Sequence, residues 1–251
     1  MAKSTNLISN SELRALRTSE KQCAVLRFLR QHLWSSQSIL QKVMNLSSRQ
    51  AAHKTLRQMQ VDGLVNVHQY QAIGGKITLW GITAHGQGMA FDPSCEEPVT
   101  RYFEPSKVSD QSIRHQLELQ NLRLVAESSG WNSWTDGDRL GILDKNNKRP
   151  DAIAIDDCGV ICAIECERTL KTTKRYEQIL ISYLMLLKSG SISKVIWISP
   201  DEDIAVRLQK LITNIKFVRI AGQRIQIDPA KHHANLHFTS YSKWSSFLTN
   251  S

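Results

Sequence analysis

The sequence predicts an α/β protein of two parts, a small domain of helices with a hairpin and a larger domain with a mixed central sheet flanked by helices. Three observations carry this prediction. β-Branched residues alternate with other residues over 151–156 and again over 160–167, the period-2 pattern of strands. Apolar residues recur at helical spacing in segments on either side of this pair. A proline-containing polar segment, 93–109, is the predicted linker between domains 1–92 and 110–251.

The charge of the chain is unevenly distributed along its length. The 251 residues include 32 Lys and Arg against 23 Asp and Glu, a net charge of +9. Residues 1–92 hold 11 basic and 4 acidic side chains, a net +7, and the remaining residues hold 21 and 19, a net +2. A basic first third favours contact with a polyanion in that part of the chain.

The composition also indicates the cellular compartment. There are five cysteines and no Cys-x-x-Cys pair, which favours reduced thiols over disulfides or a zinc site. The N-terminus is polar, and no apolar run is long enough to span a membrane. The expectation is a cytoplasmic protein that does not insert into membranes.

The first domain is predicted to contain three helices followed by a β-hairpin. Ser19 is a candidate N-cap for the first helix, and Ile39, Leu40 and Val43 mark a short second helix. Ser47 or Ser48 caps the third helix, which ends near Gly63. Strands over 64–70 and 76–82 complete the pattern of a winged helix-turn-helix.

The third helix is the predicted DNA reader of this domain. Ala52, Leu56 and Met59 share one face, and polar side chains spread over another. Gln and Arg suit base edges in the major groove, and Lys suits phosphates. A solvated polar face is the alternative, and winged helices also mediate protein contacts. The residues predicted to contact DNA here are Arg49, Gln50, His53, Lys54 and Arg57.

The second domain is predicted to begin with a helix over 112–128 and an irregular strand near Trp131 and Trp134. Later strands over 194–199 and 217–220 are expected to extend the same sheet, with a helix between them. His115 and Glu118 on the first helix are weak site candidates. Solvated positions are expected for the three histidines of the tail, His232, His233 and His237.

The central hairpin contains the acidic residues of the predicted metal site. Asp157-Cys158-Gly159 suits a three-residue loop with Gly159 in the left-handed region. Pairing Asp156 with Val160 then sets Asp151 opposite Glu165, and Glu167 lies on the same face. Three carboxylates on one patch repel unless a cation neutralises them. A hard divalent ion bound by oxygens would answer this and would suit phosphodiester chemistry.

A helix predicted from Thr169 to about Lys188 adds positive charge beside these carboxylates. Lys171, Lys174 and Arg175 lie on one face, where a nucleic-acid backbone could pass, and Tyr176 falls on the apolar stripe. A solvated basic face beside a structural acidic patch explains the spacing equally well. Cys162 and Cys166 lie on the strand face opposite Glu165 and are expected to be buried.

Pro150-Asp151, then Glu165-x-Glu167, then a basic helix resemble the PD-(D/E)xK core of restriction-type endonucleases. Over residues 18–200 the order of parts is most similar to the MobC-type replication-relaxation family of plasmid mobilisation relaxases. The resemblance implies that Asp151 and Glu165 bind Mg²⁺ or Mn²⁺ and that Glu167 completes the site. Glu167 stands where Lys is usual, so the general base and the charge-stabilising group are unassigned, and Lys171 is the nearest substitute.

The resemblance also implies a function. The expected activity is site- and strand-specific nicking of double-stranded DNA at a plasmid transfer origin. A coupling protein and other relaxosome components would receive the nicked or single-stranded product. Tyr176 is then a candidate for covalent cleavage, with core packing as its alternative. Two other functions stay open, a non-catalytic DNA-binding accessory or repressor and a restriction-like endonuclease subunit of a transposition system.

Overall fold

The computed structural model describes residues 10–72, 75–94, 100–140, 148–220 and 222–249. The chain is mixed α/β and divides into two compact units between Gln120 and Asn121. This division falls inside a helix, α5 (Asp110–Ser128), rather than in the segment 93–109 that the sequence predicts as a linker. The first unit therefore extends well past residue 92.

The first unit contains the predicted three helices and hairpin, with an extra short strand. Its elements are α1 (Ser11–His32), β1 (Trp34–Ser36), α2 (Gln37–Val43), α3 (Arg49–Val61), β2 (Val65–Ala72), β3 (Gly75–Ile82) and α4 (Ala84–Ala90). The strands form an antiparallel sheet in the order β1–β3–β2. The predicted start of the first helix at Ser19 is wrong, because α1 begins eight residues earlier, at Ser11, where the Asn10 side chain caps it by accepting from the Glu12 N–H.

Local signals explain the boundaries of α3. The Ser48 hydroxyl accepts a hydrogen bond from the Ala51 N–H at 3.3 Å, which satisfies one of the free amides of the first turn. Gly63 follows the helix with φ +70°, a conformation that costs glycine little. Ala52, Leu56 and Met59 are fully buried, as their spacing predicts.

The described part of the predicted linker packs against the first unit. Phe103 is buried with Trp34, Tyr70 and Leu79, and its N–H donates to the Ile82 carbonyl at 2.9 Å. The Tyr70 hydroxyl donates to the Pro105 carbonyl at 3.0 Å. Phe103 is thus part of the core of this unit, and Pro105 is hydrogen-bonded to it.

The second unit is built on a five-stranded mixed sheet flanked by helices. After α5 come β4 (Asn132–Asp136), β5 (Ala152–Ile155), β6 (Ile161–Cys166), α6 (Thr173–Lys188), β7 (Lys194–Ser199), α7 (Glu202–Thr213), β8 (Phe217–Ile220), β9 (Gln223–Gln226), α8 (Pro229–His232), β10 (Leu236–Ser240) and α9 (Trp244–Leu248). The strand order is β10–β7–β6–β5–β4. The strands β10, β7 and β6 are parallel, and β5 and β4 run antiparallel to their neighbours.

One predicted strand lies outside this sheet. Phe217–Ile220 forms a strand, but it pairs with β9 in a separate two-stranded sheet, and β10 takes the edge position beside β7. Phe238 of β10 stacks on Trp197 of β7 with ring centroids 5.1 Å apart, which anchors that edge. The three tail histidines are predicted to be solvated, but His237 is a partly buried member of β10, and His232 and His233 are partly buried as well.

The largest apolar core of the second unit lies between the sheet and the helices α6 and α7. It contains Tyr176, Leu180, Tyr183, Trp197, Leu208 and Ile212, all nearly or fully inaccessible to solvent. Burying each such side chain contributes about 1.5–3 kcal/mol relative to exposure. Further along the chain, the Trp244 indole donates to the Leu122 carbonyl at 3.0 Å and ties α9 to the end of α5.

Across the residues that the structure describes, no helix is both long and apolar enough to cross a membrane.

Candidate functional site

The register of the central hairpin is the one that the sequence predicts. Ala152 pairs with Ile164 and Ile155 with Ile161, and this register continued by one residue sets Asp151 opposite Glu165. The Asp156 N–H donates to the Val160 carbonyl at 3.0 Å, and Gly159 has φ +83°. The loop length and the glycine together fix which acidic residues face each other.

The acidic residues lie where β6 ends, at the carboxyl edge of the parallel strands. Glu165 is opposite Trp197 of β7, and the Glu167 N–H continues the ladder by donating to the Ile198 carbonyl at 2.9 Å. In open α/β sheets, ligands bind outside the carboxyl ends of the strands. The site thus occupies the position where such sheets place their ligand-binding groups.

Glu165 is a buried carboxylate with two side-chain donors. It is 3% exposed, and its Oε1 accepts hydrogen bonds from the Lys148 ammonium and from the Tyr183 hydroxyl. The pKa of Glu165 is raised to about 7, mainly by burial and also by the charge of Asp151, while Lys148 and Tyr183 act in the opposite direction. The influence of Asp151 indicates that the two carboxylates are close neighbours.

Asp151 is fixed against the end of β6. Its Oδ2 accepts a hydrogen bond from the Cys166 N–H at 2.9 Å, and its own N–H donates to the Ile164 carbonyl at 3.1 Å. Hydrogen bonds from backbone amides hold a carboxylate oxygen in one orientation. Asp151 and Glu165 thus bring two carboxylates to this end of β6.

Glu167 belongs to a separate ion pair. It is 3% exposed, and its carboxylate contacts the Lys171 ammonium. The Lys171 N–H in turn donates to the Tyr176 hydroxyl at 3.0 Å. Lys171 precedes α6, because that helix begins at Thr173 with Thr172 as its cap, four residues later than the predicted Thr169.

The three carboxylates predicted to share one ion, those of Asp151, Glu165 and Glu167, do not form a group whose ligand atoms all lie within 4.8 Å of one another. Within the described ranges, the one group of three potential ligands whose atoms are all that close together is Asp156, Asp157 and Cys158. Asp156 there accepts from the N–H groups of Cys158 and Val160 and from Lys194, so it stabilises the hairpin turn. Glu165 pairs with Lys148, and Glu167 pairs with a different lysine, Lys171.

Asp151 and Glu165 remain a donor set that fits a hard divalent ion. Mg²⁺ takes one or two protein carboxylates and completes its shell with water or phosphate oxygens. An ion between them would favour the ionised form of Glu165, which burial disfavours. Glu167 would then act beside the ion, through its pair with Lys171, rather than as a third ligand.

Three other groups lie at this site without a strong signal in the sequence. Lys148 lies 17 residues before Glu165, and Tyr183 lies 18 residues after it, among the buried residues of α6. The Ser199 hydroxyl is fully buried and has no hydrogen-bond partner among the described residues. The register of β6 and β7, continued by one residue, sets Ser199 opposite Glu167. The one available signal was the Lys148-Arg149 pair directly before Pro150-Asp151.

Tyr176 is packed in the core, which favours the packing alternative over covalent cleavage. Its side chain is fully buried, and burial, followed by the nearby Glu167 and Glu165 charges, raises the pKa of its hydroxyl, although the Lys171 N–H opposes this. A phenol with a raised pKa is a poor nucleophile near neutral pH. Cys162 and Cys166 are buried as predicted, and burial raises the pKa of the Cys162 thiol to about 12.

The basic residues at the start of α6 reach solvent. Lys174 and Arg175 are exposed, and Arg175 donates to the Gln178 side chain at 3.1 Å. Both belong to the same short stretch as Lys171. A phosphate approaching the carboxyl edge could therefore meet positive charge here.

In the first unit, α3 presents the polar face that its sequence predicts. The five predicted DNA-contacting residues are all exposed: Arg49, Gln50, His53, Lys54 and Arg57. His53 Nδ1 is 3.1 Å from the Gln37 side-chain oxygen, and the Arg57 guanidinium lies 5.9 Å from the centroid of the Trp80 ring. These contacts orient two of the five side chains on the surface. His115 and Glu118 are partly buried in the portion of α5 that belongs to this unit.

Searches against known proteins add no relative to this description. No protein-family model, no curated protein and no solved structure matches the chain.

Proposed function

We propose that this protein is a metal-dependent DNA-nicking enzyme of the relaxase type, with a winged helix-turn-helix in its first unit and a restriction-endonuclease-like second unit. The observation that carries the proposal is the pair Asp151 and Glu165, adjacent at the carboxyl edge of the sheet, with Lys148 and Lys171 beside it. Acidic and basic groups combined at one edge are what phosphodiester cleavage requires. Such an enzyme would act on plasmid DNA in the cytoplasm.

The order of helices and strands supports the assignment of the first unit. A strand lies between the first two helices, and the hairpin β2–β3 follows α3 directly. The exposed side chains of α3 suit the major groove, with Arg49, Lys54 and Arg57 adding positive charge and no acidic residue within the helix. This unit would hold the duplex from which the second unit cleaves one strand.

Asp151 and Glu165 would hold Mg²⁺ or Mn²⁺, which when bound supplies positive charge to the scissile phosphate and to the attacking oxygen. Lys148 holds the Glu165 carboxylate in place and offers an ammonium next to the site. Lys171 does the same for Glu167 and is the candidate for stabilising developing negative charge. Lys174 and Arg175 would bind the flanking backbone.

Nicking of a plasmid that carries a bound sequence tests the proposal. Duplexes that the full chain binds are selected from a random pool and cloned into a supercoiled plasmid, which is incubated with Mg²⁺ or Mn²⁺. We expect the wild type to give nicked circles and Asp151→Ala to nick on the order of 10³-fold more slowly with unchanged binding.

The matched control is Asp157→Ala, which removes an exposed carboxylate from the turn of the same hairpin. It should nick like the wild type. A wild type that binds its selected duplex but never nicks it in either ion would refute the catalytic proposal, as would an undiminished Asp151→Ala.

A second candidate function is a non-catalytic DNA-binding accessory protein. The ion pairs favour it, because Lys148 and Lys171 already neutralise Glu165 and Glu167 without a metal. Lys148→Ala separates the two functions. In an enzyme it should slow nicking about 100-fold. In an accessory protein, which has no nicking to lose, it should only destabilise the fold by leaving Glu165 without its cation.

A further inference from the structure

The two-stranded ribbon β8–β9 stands apart from the main sheet of the second unit. Its strands are antiparallel, and Arg219 is directly opposite Arg224. Val218 and Ile227, 2% and 4% exposed, fix its base in the apolar core, and the Ile227 N–H donates to the Lys216 carbonyl at 2.9 Å. Beyond this base most of the described ribbon residues are exposed. The ribbon is therefore anchored at one end and open to solvent over the rest.

The ribbon is strongly basic. Lys216, Arg219 and Arg224 are exposed, and the segment from Lys216 to Ile227 contains no Asp or Glu. In the part of the chain that the structure describes, neither Arg219 nor Arg224 forms an ion pair with a carboxylate. Like charges directly opposed across two strands repel each other. An anion bound between the two guanidinium groups would remove that repulsion.

Arg224 is already held in an orientation suited to binding. Its guanidinium carbon lies 3.5 Å from the centroid of the Phe217 ring, a stacked cation–π contact. Such a contact restricts the side chain before any ligand arrives, so less conformational entropy is lost on binding. The planar guanidinium then keeps its N–H donors free for phosphate oxygens.

The two faces of the ribbon differ in character. Side chains alternate between faces along each strand, so Phe217, Arg219, Arg224 and Gln226 share one face. Ile220 and Ile225 lie on the other face with Val218. The major groove of duplex DNA is wide enough for a two-stranded β-ribbon, and several DNA-binding proteins dock in this way. The polar face of β8–β9 offers the charge and the size that this docking needs.

We propose that the β8–β9 ribbon is a second binding surface for duplex DNA, with Arg219 and Arg224 bound to backbone phosphates. The identity of the ligand rests on the proposed function, since nicking requires DNA to lie on the second unit as well as the first. The ribbon contributes affinity and holds the duplex on this unit, and it takes no part in the chemistry at Asp151. An acidic protein would bring fewer and less regularly spaced charges to the opposed arginine pair.

The test measures binding of the full chain to its selected duplex by fluorescence anisotropy at 50, 100 and 200 mM salt. The variant is Arg219→Ser/Arg224→Ser. Each lost phosphate contact lowers the slope of log affinity against log salt by about 0.9, so we expect the slope to fall by about 2 and the affinity at 100 mM by about tenfold.

The matched control is Arg207→Ser/Lys210→Ser, which removes the same charge from exposed positions of α7 in the same unit. Its affinity should change by less than about twofold, because these charges make no defined phosphate contact. An equal loss in the control would overturn the proposal in favour of diffuse attraction. A ribbon variant with wild-type affinity and slope would overturn it as well.

Single substitutions keep the test valid in case the double variant misfolds. Arg219→Gln and Arg224→Gln should each lower the salt slope by about 1 with an unchanged thermal unfolding curve. If neither does so, the ribbon makes no phosphate contact.

If the wild type binds DNA but never nicks it, while the ribbon variants still lose affinity, this inference stands without the catalytic proposal. If the wild type binds no DNA, both this inference and the catalytic proposal are refuted.

Discussion

The polar face of α3 in the first unit and the acidic site of the second unit arrange their charged residues in opposite ways. In the first unit, Arg49, Gln50 and Lys54 extend into solvent from α3 and make no side-chain hydrogen bond or ion pair within the described ranges. In the second unit, Glu165 and Glu167 are buried and each contacts a lysine. An exposed helix face can be read from spacing alone. A buried charged site depends on ion-pair partners that lie elsewhere in the sequence, so spacing alone does not reveal it.

The largest expected effect tests whether the packed core of the first unit extends past residue 92. Phe103→Ala should lower the free energy of unfolding of this unit by about 4 kcal/mol, because it removes a buried ring that packs on Trp34 and Tyr70. Chemical denaturation followed by tryptophan fluorescence measures the change. Tyr102→Ala, an exposed neighbour, is the control and should have little effect. A linker without packing would make the two variants equal.

The next effect concerns the buried carboxylate of the second unit. The pKa of Glu165 is raised to about 7 in the folded protein from an ordinary value of 4.5, so the folded state binds the proton more tightly. Stability is therefore greatest below pH 4.5 for this group and is lost as the pH rises to about 7, by about 3 kcal/mol. Denaturation in EDTA at pH 5, 6, 7 and 8 should show this fall in the wild type.

Glu165→Gln should lose this pH dependence, and Glu177→Gln on α6 should retain it. At pH 8, Mg²⁺ should raise the unfolding temperature of the wild type, because an ion at Asp151 and Glu165 stabilises the ionised form. At pH 5 the gain should shrink, since protons compete with the ion. A Mg²⁺ effect that is equal in Glu165→Gln would place the ion elsewhere.

A smaller effect tests the open face of the first unit. Arg49→Ala/Arg57→Ala should weaken binding of the selected duplex about tenfold and lower the salt slope by about 2. Arg14→Ala/Arg17→Ala, which removes two exposed charges from the start of α1, serves as the control. Unchanged binding in the α3 variant would mean that this helix does not contact DNA.

The smallest effect concerns Tyr176. Tyr176→Phe keeps the buried ring and removes the hydroxyl that accepts from the Lys171 N–H, so it should cost about 1 kcal/mol of stability. Nicking should persist, and no peptide-linked DNA should form in either protein. A loss of nicking together with a covalent adduct in the wild type would restore the covalent route.

Much of the local structure could be predicted from the sequence. The cap at Ser48, the turn at Gly159 and the register that sets Asp151 opposite Glu165 all follow from short-range patterns. The pairing of Lys148 with Glu165 could not be predicted, because these residues are 17 apart in the sequence, with most of the hairpin between them. The edge position of β10 was missed for the same reason. It depends on the Phe238–Trp197 contact, which no local pattern encodes.

The position of the boundary after Gln120 has a practical consequence for anyone who expresses the DNA-binding half alone. The Gln120 side chain accepts from the Ser35 hydroxyl at 2.6 Å and donates to the Trp34 carbonyl at 2.9 Å. A fragment that stops at residue 92 would lack this glutamine, Phe103 and Ile113, and it would leave two buried polar groups of β1 without partners. A fragment that runs to the end of α5 would retain them and should be the better behaved in solution.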